Sequence, residues 1–176
     1  MLVLVVGPSG AGKDTMLEAA RAALPGIRFV RRVITRPAEA GGEDHEAVSE
    51  AAFARRDFAL QWQAHGLRYG IPADIADDLA AGRTVVANVS RGVIADAAAR
   101  FPVHVIEVTA PPAVLAARLA ARGRESGADV AARLARTVPL PDGVRVSQVV
   151  NDGTMAEGVA RFLGALTQAA APAQRS

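Results

Sequence analysis

A glycine-rich turn near the start of the chain carries the strongest chemical signal in the sequence. Gly7-Pro8-Ser9-Gly10-Ala11-Gly12-Lys13 follows an apolar, β-branched run and precedes residues with helical spacing. Glycines permit a turn that aims consecutive N–H groups at one point, and the helix that follows adds the positive end of its dipole. Lys13, the only lysine in the chain, adds a full charge there. The spacing G-x-x-x-x-G-K therefore predicts a loop that binds the phosphates of a nucleotide.

The residue after this loop departs from the usual pattern, in which a Ser or Thr hydroxyl holds Mg²⁺. Asp14 takes that position here, and Thr15 follows it. Asp14 either ligates Mg²⁺, directly or through water, or caps the first turn of the helix. A carboxylate beside a triphosphate is repelled unless a metal ion lies between them, so we favour the interpretation that links Asp14 to the metal.

Composition narrows the class of protein that carries this loop. The 176 residues are 51% hydrophobic and 22% charged, which is typical of a single globular domain and not of a disordered chain. There is no cysteine, which excludes disulfides, thiolate metal sites and a thiol nucleophile. No apolar run approaches the ~18 residues of a transmembrane helix, so we expect a cytoplasmic protein with no membrane partner.

The basic residues are almost all arginine, and they point to small anionic partners. They are spread along the chain, and aromatic residues make up only 4% of it. A nucleic-acid binder instead shows a basic patch with interleaved aromatic side chains. Because arginine grips phosphate through two parallel hydrogen bonds, the composition favours a small phosphorylated molecule and argues against nucleic acid.

Alternating strand and helix patterns surround the loop and predict how it is positioned. Continuous apolar runs that alternate with helical segments predict an α/β fold with a parallel five-stranded sheet flanked by helices. A further strand is predicted over 58–63, followed by a turn over 66–70. The five core strands are predicted at 2–6, 27–34, 84–88, 103–108 and 144–150, and the helices at 13–24, 50–56, 73–81, 93–100, 112–121, 130–137 and 154–170.

Motifs beyond the loop resemble the guanylate kinase-like branch of the P-loop kinases, in order along nearly the whole chain. Ile34-Thr35-Arg36-Pro37 resembles the segment that binds the acceptor phosphate, and Val150-Asn151-Asp152 resembles the segment beside the adenine. Arginines within 118–124 and 133–136 resemble those of the lid. The resemblance implies a P-loop kinase fold in one domain. Its parts would be a core of 1–34 and 82–170, an acceptor-binding insertion near 35–81 and an arginine-containing lid near 122–137.

Three departures distinguish the chain from guanylate kinases. Glu39 replaces a second arginine of the acceptor-phosphate segment, and Gln63 replaces a glutamate that accepts hydrogen bonds from guanine. An amide accepts at one atom and donates at the other, so a guanine site built on Gln63 would discriminate poorly. Asn88-Val89-Ser90-Arg91 replaces an acidic strand end. These departures argue against GMP as the acceptor.

The same positions are similar to the ribose 1,5-bisphosphate phosphokinases of bacterial phosphonate catabolism. Shared features are Asp14 after the loop, W-x-x-x-G-L-x-Y-G at 62–70, N-x-S-R at 88–91 and R-G-R-E at 122–125. Gly42-Glu43-Asp44-His45 resembles their G-x-E-x-H element, shifted in detail. The resemblance implies that ATP and Mg²⁺ are used to phosphorylate the 1-phosphate of ribose 1,5-bisphosphate, which gives 5-phospho-α-D-ribose 1-diphosphate (PRPP).

The resemblance also implies which side chains act. A phosphate oxygen is largely ionised at neutral pH because its second pKa is near ~6, so catalysis needs positioning and charge neutralisation rather than a general base. The expected catalytic residues are Lys13, Arg36, Arg122 and Arg133, and the expected metal ligand is Asp14. Expected ATP contacts are Gly7, Pro8, Ser9, Gly10, Ala11, Gly12, Lys13, Asp14, Thr15, Arg124 and Asn151. Expected acceptor contacts are Arg32, Arg36, His45, Trp62, Tyr69, Ser90 and Arg136.

Simpler explanations stay open for several of these residues. Trp62 and Tyr69 could only pack the insertion, His45 could be structural, and Asn151 could belong to an ordinary turn. Arg133 and Arg136 could form an exposed stripe. For the whole chain, a guanylate kinase or another nucleoside monophosphate kinase is the main alternative, and a non-catalytic guanylate kinase-like interaction module is a second. We expect a monomer or a homodimer.

Overall fold

A parallel sheet of five strands forms the centre of the molecule, in a computed structural model that describes residues 1–40, 43–121 and 138–172. The described strands are β1 (Leu2–Val6), β2 (Arg28–Phe29), β3 (Val33–Ile34), β4 (Glu46–Ala47), β5 (Phe58–Ala64), β6 (Leu67–Pro72), β7 (Val85–Asn88), β8 (Val103–Thr109) and β9 (Arg145–Val150). The central sheet has the order β2-β7-β1-β8-β9, and each neighbouring pair is parallel. This confirms the predicted sheet.

Six described helices follow the predicted pattern closely. They are α1 (Lys13–Ala23), α2 (Glu50–Ala54), α3 (Ile75–Ala80), α4 (Ile94–Arg100), α5 (Pro112–Ala121) and α6 (Met155–Ala170). α6 begins with a capping box, in which Thr154 accepts from the N–H of Glu157 and the Glu157 carboxylate accepts from the N–H of Thr154. The predicted helix at 130–137 and the predicted lid near 122–137 lie outside the described residues.

β1 is buried on both faces, which explains its unbroken apolar sequence. None of its five residues has exposed surface. Leu4 packs in one hydrophobic cluster with Ile94 of α4, and Val5 packs in the opposite cluster with Met16 of α1 and Phe162 of α6. The glycine-rich turn therefore starts from a strand that is held on both sides.

The predicted strand over 27–34 is wrong as a single element, because the chain there serves two sheets. β2 pairs with β7 in the central sheet, whereas β3 pairs with β4 and β6 in a second sheet of order β4-β3-β6-β5. Arg31 and Arg32 connect β3 to the central sheet, and Arg32 is only partly exposed. An apolar run shows that its residues are buried but not which sheet buries them.

The predicted turn over 66–70 is also wrong, because only its first residue turns. His65 and Gly66 both have positive φ values, 52° and 71°, as a two-residue hairpin of the primed type requires. β6 starts at Leu67 and pairs antiparallel with β5, with Ala64 opposite Leu67. The glycines that suggested a longer turn include Gly70, which lies in β6 where the Phe58 ring leaves no room for a side chain.

The second sheet packs on the central one through shared apolar side chains. Leu60 of β5 and Ile71 of β6 belong to the same cluster as Leu4 of β1 and Val85 of β7.

None of the described helices is long and apolar enough to cross a membrane.

Candidate active site

The glycine-rich turn connects β1 to α1, and two of its glycines have both a positive φ and no room for a side chain. Gly7 has φ 150°, and a Cβ there would overlap the carbonyl oxygen of Val108. Gly12 has φ 94°, and a Cβ there would lie 2.7 Å from Nδ2 of Asn151. The loop is therefore pressed against the structure behind it, and its shape matches a phosphate cradle.

Lys13 lies across this loop and is held by it. Its Nζ donates to the carbonyl oxygens of Gly7, at 2.5 Å, and Pro8, at 3.1 Å. Burial lowers the pKa of Lys13 from 10.5 to about 8, and the carboxylate of Asp14 opposes the shift. An anion bound next to this ammonium would stabilise its charged form.

A cavity of about 350 Å³ opens over the loop and brings together residues that are far apart in sequence. Asp14 and Thr15 contribute the start of α1, Trp62 and Tyr69 contribute the second sheet, and Ser90 follows β7. The full lining comprises Gly7, Ser9, Gly10, Gly12, Lys13, Asp14, Thr15, Arg32, Trp62, Ala64, His65, Tyr69, Asn88, Val89 and Ser90. The glycine-rich loop and one face of the second sheet thus border the same space.

An aromatic and cationic stack forms the wall opposite the loop. Trp62 and Tyr69 are cross-strand neighbours whose rings are 5.4 Å apart and nearly parallel, at 8°. The guanidinium of Arg32 lies 5.1 Å from the centre of the Tyr69 ring and forms an ion pair with Glu43. Among the described residues, Nε of Arg32 is buried and has no hydrogen-bond partner. Arg32 thus presents a largely buried cation to the cavity.

A second cavity, of about 400 Å³, adjoins the first, and Asp14, Thr15, Arg32 and Asn88 line both. Its walls come from α1, from the ends of the central strands and from the segment of Glu43 and Asp44. Glu43 belongs to the G-x-E-x-H-like element of the sequence, but its pairing with Arg32 depends on how two separate segments pack.

Arg36 and His45 do not line either cavity. His45 is 6% exposed, and its Nε2 lies 3.0 Å from the carbonyl oxygen of Arg36. Its Nδ1 lies 3.0 Å from the carbonyl oxygen of Glu43 and 3.3 Å from Nη2 of Arg36. The imidazole therefore ties both ends of the 36–45 segment together, and the acceptor contacts expected of Arg36 and His45 stay predictions.

Asn151 lies behind the loop, and Arg118 lies beside it. Asn151 is 1% exposed, and its Nδ2 donates to the carbonyl oxygen of Ala11 at 2.8 Å. Arg118 donates to the carbonyl oxygens of Gly10, at 3.1 Å, and Asn151, at 3.2 Å. Arg118 belongs to the segment that resembles the lid in sequence, and the structure places its guanidinium against Gly10, 108 residues away.

Asp14 and Thr15 are the described residues that fit a magnesium ion at this cavity. Nowhere in 1–40, 43–121 or 138–172 do three or more His, Cys, Asp or Glu side chains form a group that could hold a metal. Mg²⁺ is commonly bound by one or two carboxylates together with substrate phosphates, so a single carboxylate and a hydroxyl next to a phosphate cradle suit it. Four predicted lid arginines, Arg122, Arg124, Arg133 and Arg136, lie outside the described residues.

Comparisons with known proteins agree with this architecture. A family model described as an AAA domain matches residues 2–137. The ribose 1,5-bisphosphate phosphokinase PhnN of Acidiphilium cryptum is 58% identical over 168 residues, which cover 94% of this chain and 91% of that protein. A bifunctional ribose 1,5-bisphosphokinase-thymidine phosphorylase of Azorhizobium caulinodans is 53% identical over 94% of this chain, but the match spans only 25% of that protein. Among solved structures, guanylate kinase from Anaplasma phagocytophilum shares the fold, with a TM-score of 0.66 over 98% of this chain and 87% of that one at 19% identity.

Proposed function

The chain belongs to the ribose 1,5-bisphosphate phosphokinase family, and we propose on that premise that it transfers the γ-phosphoryl group of ATP to the 1-phosphate of ribose 1,5-bisphosphate. The products are ADP and PRPP. One observation carries the proposal: the phosphate loop with Lys13 and the wall formed by Arg32, Trp62 and Tyr69 line a single cavity. Donor and acceptor can therefore be held next to each other in one space.

The reaction forms one P–O bond and breaks another. An ionised oxygen of the acceptor's 1-phosphate attacks the γ-phosphorus, and the bond from this phosphorus to the bridging oxygen of ADP breaks. No proton has to be removed from the nucleophile, because a phosphate oxygen with a second pKa near ~6 is largely ionised at pH 7.

The residues of the chain supply position and charge for this transfer. The loop N–H groups and the Lys13 ammonium neutralise the donor phosphates, and Arg32 faces the acceptor side. Asp14 and Thr15 would hold Mg²⁺, which supplies further charge neutralisation between the phosphates when it is bound. Arg36 and the lid arginines Arg122, Arg124, Arg133 and Arg136 are proposed to add charge to the same centre, as the family resemblance implies.

Gln63 stands where guanylate kinases have the glutamate that binds guanine, and its placement favours a sugar phosphate rather than a nucleotide as the acceptor. The exposed side chain of Gln63 lines a separate cavity with Glu50 and Arg68. Trp62, the residue before it, faces the phosphate cavity instead. By family resemblance we also assign the reaction to phosphonate catabolism in the cytoplasm.

A substrate panel tests this function. Purified protein is incubated with Mg²⁺-ATP and ribose 1,5-bisphosphate, GMP or AMP, and both ADP and PRPP are measured. We expect turnover with the sugar bisphosphate and a loss of about 100-fold or more in kcat for Lys13→Ala. Faster turnover with GMP would replace the proposed acceptor, and no turnover with any acceptor would favour the non-catalytic module.

A further inference from the structure

Asn151 is buried beneath the phosphate loop and does not line the cavity above it. Its backbone N–H donates to Thr109 at 2.7 Å, which fixes the residue at the end of β9. Its Oδ1 is buried and has no partner among the described residues, and a Cβ on Gly158 of α6 would lie 2.5 Å from that oxygen. The side chain is therefore enclosed, and the loop is its only polar contact in the described structure.

The orientation of the Asn151 amide is set by what it faces. Nδ2 lies 2.8 Å from the carbonyl oxygen of Ala11. If the amide were turned over, its oxygen would face that carbonyl oxygen and the two would repel. The nitrogen must therefore point at the loop, and Asn151 acts there as a hydrogen-bond donor.

Holding the Ala11 carbonyl also fixes the next N–H group. In a trans peptide the C=O of one residue and the N–H of the next point to opposite sides of the chain. Because the Ala11 carbonyl points back to Asn151, the N–H of Gly12 points away from it. Gly12 and Lys13 line the cavity, so this N–H is directed to the side where phosphates bind.

Arg118 supports the same part of the loop from α5. One of its Nη atoms donates to the Gly10 carbonyl oxygen and the other to the Asn151 carbonyl oxygen. The guanidinium thus links the loop to the segment that carries Asn151. Gly10 carries its own constraint, since its φ of 85° is one that side chains rarely adopt.

We propose that Asn151, with Arg118 as its support, is a positioning residue for the donor triphosphate: it holds the Ala11–Gly12 peptide so that the Gly12 N–H faces the phosphates. This differs from the contact with adenine that the sequence resemblance implies for Asn151. It rests on the proposed function only for the kind of ligand, a triphosphate, and not for the identity of the acceptor.

Binding of three probes separates a loop role from a base role. Mg²⁺-ATP, Mg²⁺-GTP and inorganic tripolyphosphate are titrated calorimetrically into wild type, Asn151→Ala and Gln168→Ala. The control removes an amide from an exposed position of α6. We expect Asn151→Ala to weaken all three probes by the same factor, roughly ten-fold, and the control to leave them unchanged.

Other outcomes overturn the proposal. A loss confined to ATP would make Asn151 a base contact, and unchanged affinities would leave it no role at the loop. Arg118→Lys provides a second variant if Asn151→Ala does not fold. It keeps the charge, but a single ammonium cannot replace the two Nη donors that contact the Gly10 and Asn151 carbonyl oxygens. A uniform but smaller loss is expected for it, and unchanged affinities would contradict the proposal. Wild-type protein that bound none of the probes would instead refute the proposed function.

Discussion

The Lys13 ammonium is needed as a positive charge beside the phosphates, but its burial disfavours that charge. The ammonium is surrounded by the loop and by the walls of the cavity, and burial lowers its pKa to about 8. In the unfolded chain the same group has a pKa near 10.5. Between these two values the unfolded chain binds more protons than the folded protein, so stability rises with pH.

The variant Lys13→Met tests the free-energy cost of burying the Lys13 ammonium, because it removes the titrating group and keeps much of the side-chain volume. Below pH 8 wild type carries the full cost of burying the ammonium, and above pH 10.5 it carries none. We expect the free energy of unfolding of wild type, minus that of the variant, to rise by up to ~3 kcal/mol across this window. Urea denaturation at pH 7 and pH 10 measures the difference. A value independent of pH would show that the pKa of Lys13 is not lowered.

Arg32 is held in place by two contacts at the wall of the cavity, the side that we propose for the acceptor. It pairs with Glu43 and lies over the Tyr69 ring, so geometry and not charge alone defines its position. Arg32→Lys keeps the charge but loses the planar fork and the stacking. We expect kcat/KM for ribose 1,5-bisphosphate to fall ~10–100-fold while KM for ATP changes little.

Arg31→Lys is the matched control for Arg32. Arg31 is exposed, pairs with Asp44 and lies outside the lining of both cavities. Steady-state kinetics with each substrate varied in turn should show wild-type constants for it. Equal losses in the two variants would mean that the acceptor responds to net charge on this segment and not to the placement of Arg32.

At the scale of elements, strands and helices with one dominant signal were predictable. β1 is an unbroken apolar run, α1 ends before Pro25, and Thr154 with Glu157 marks the start of α6. The division of 27–34 between two sheets was not predictable, since both sheets bury apolar residues and periodicity does not name the partner.

Within the site, the part that is local in sequence was predictable and the part that depends on long-range packing was not. The loop of 7–13 is a local motif whose conformation follows from its own glycines. The placement of Asn151 depends on how the end of β9 and α6 pack behind that loop, 140 residues away. Sequence motifs therefore indicated that Asn151 lies near the nucleotide, but only the packing shows which part of the site it contacts.

Two glycines of α6 test how tightly this helix fits against Asn151. Glycine to alanine normally stabilises an exposed helix interior by ~0.5–1 kcal/mol. Gly164 has open space around it, so Gly164→Ala should raise the melting temperature. At Gly158 a Cβ would lie 2.5 Å from Oδ1 of Asn151 and 2.8 Å from Cε of Met16, so Gly158→Ala should lower it.

Differential scanning calorimetry of both variants measures the two effects. Gly158→Ala should also weaken tripolyphosphate binding, because it displaces the side chain that holds Ala11, whereas Gly164→Ala should not. Stabilisation by both substitutions would contradict the tight contact between α6 and Asn151.

At the scale of the molecule, two hydrophobic clusters on opposite faces of the central sheet hold the site together. One contains side chains of the second sheet, such as Leu60, together with Leu4 and Ile94. The other contains Leu166 of α6 with Val5 and Met16. Since side chains of the second sheet belong to the same cluster as those of the central sheet, we expect the two sheets to unfold together.

The only tryptophan, Trp62, makes this expectation measurable. Its fluorescence reports the second sheet, in which it lies on β5, whereas far-UV circular dichroism reports all helices and strands. We expect the two signals to give one coincident urea transition. Leu60→Ala and Leu166→Ala should each lower the free energy of unfolding by ~2–5 kcal/mol and shift both signals together, because each empties a fully enclosed site in one of the clusters. Gln61→Ala, an exposed neighbour in β5, should shift neither. A fluorescence transition that preceded the circular dichroism transition in Leu60→Ala would show that the second sheet unfolds separately. The shared cavity would then depend on ligands to keep its two walls together.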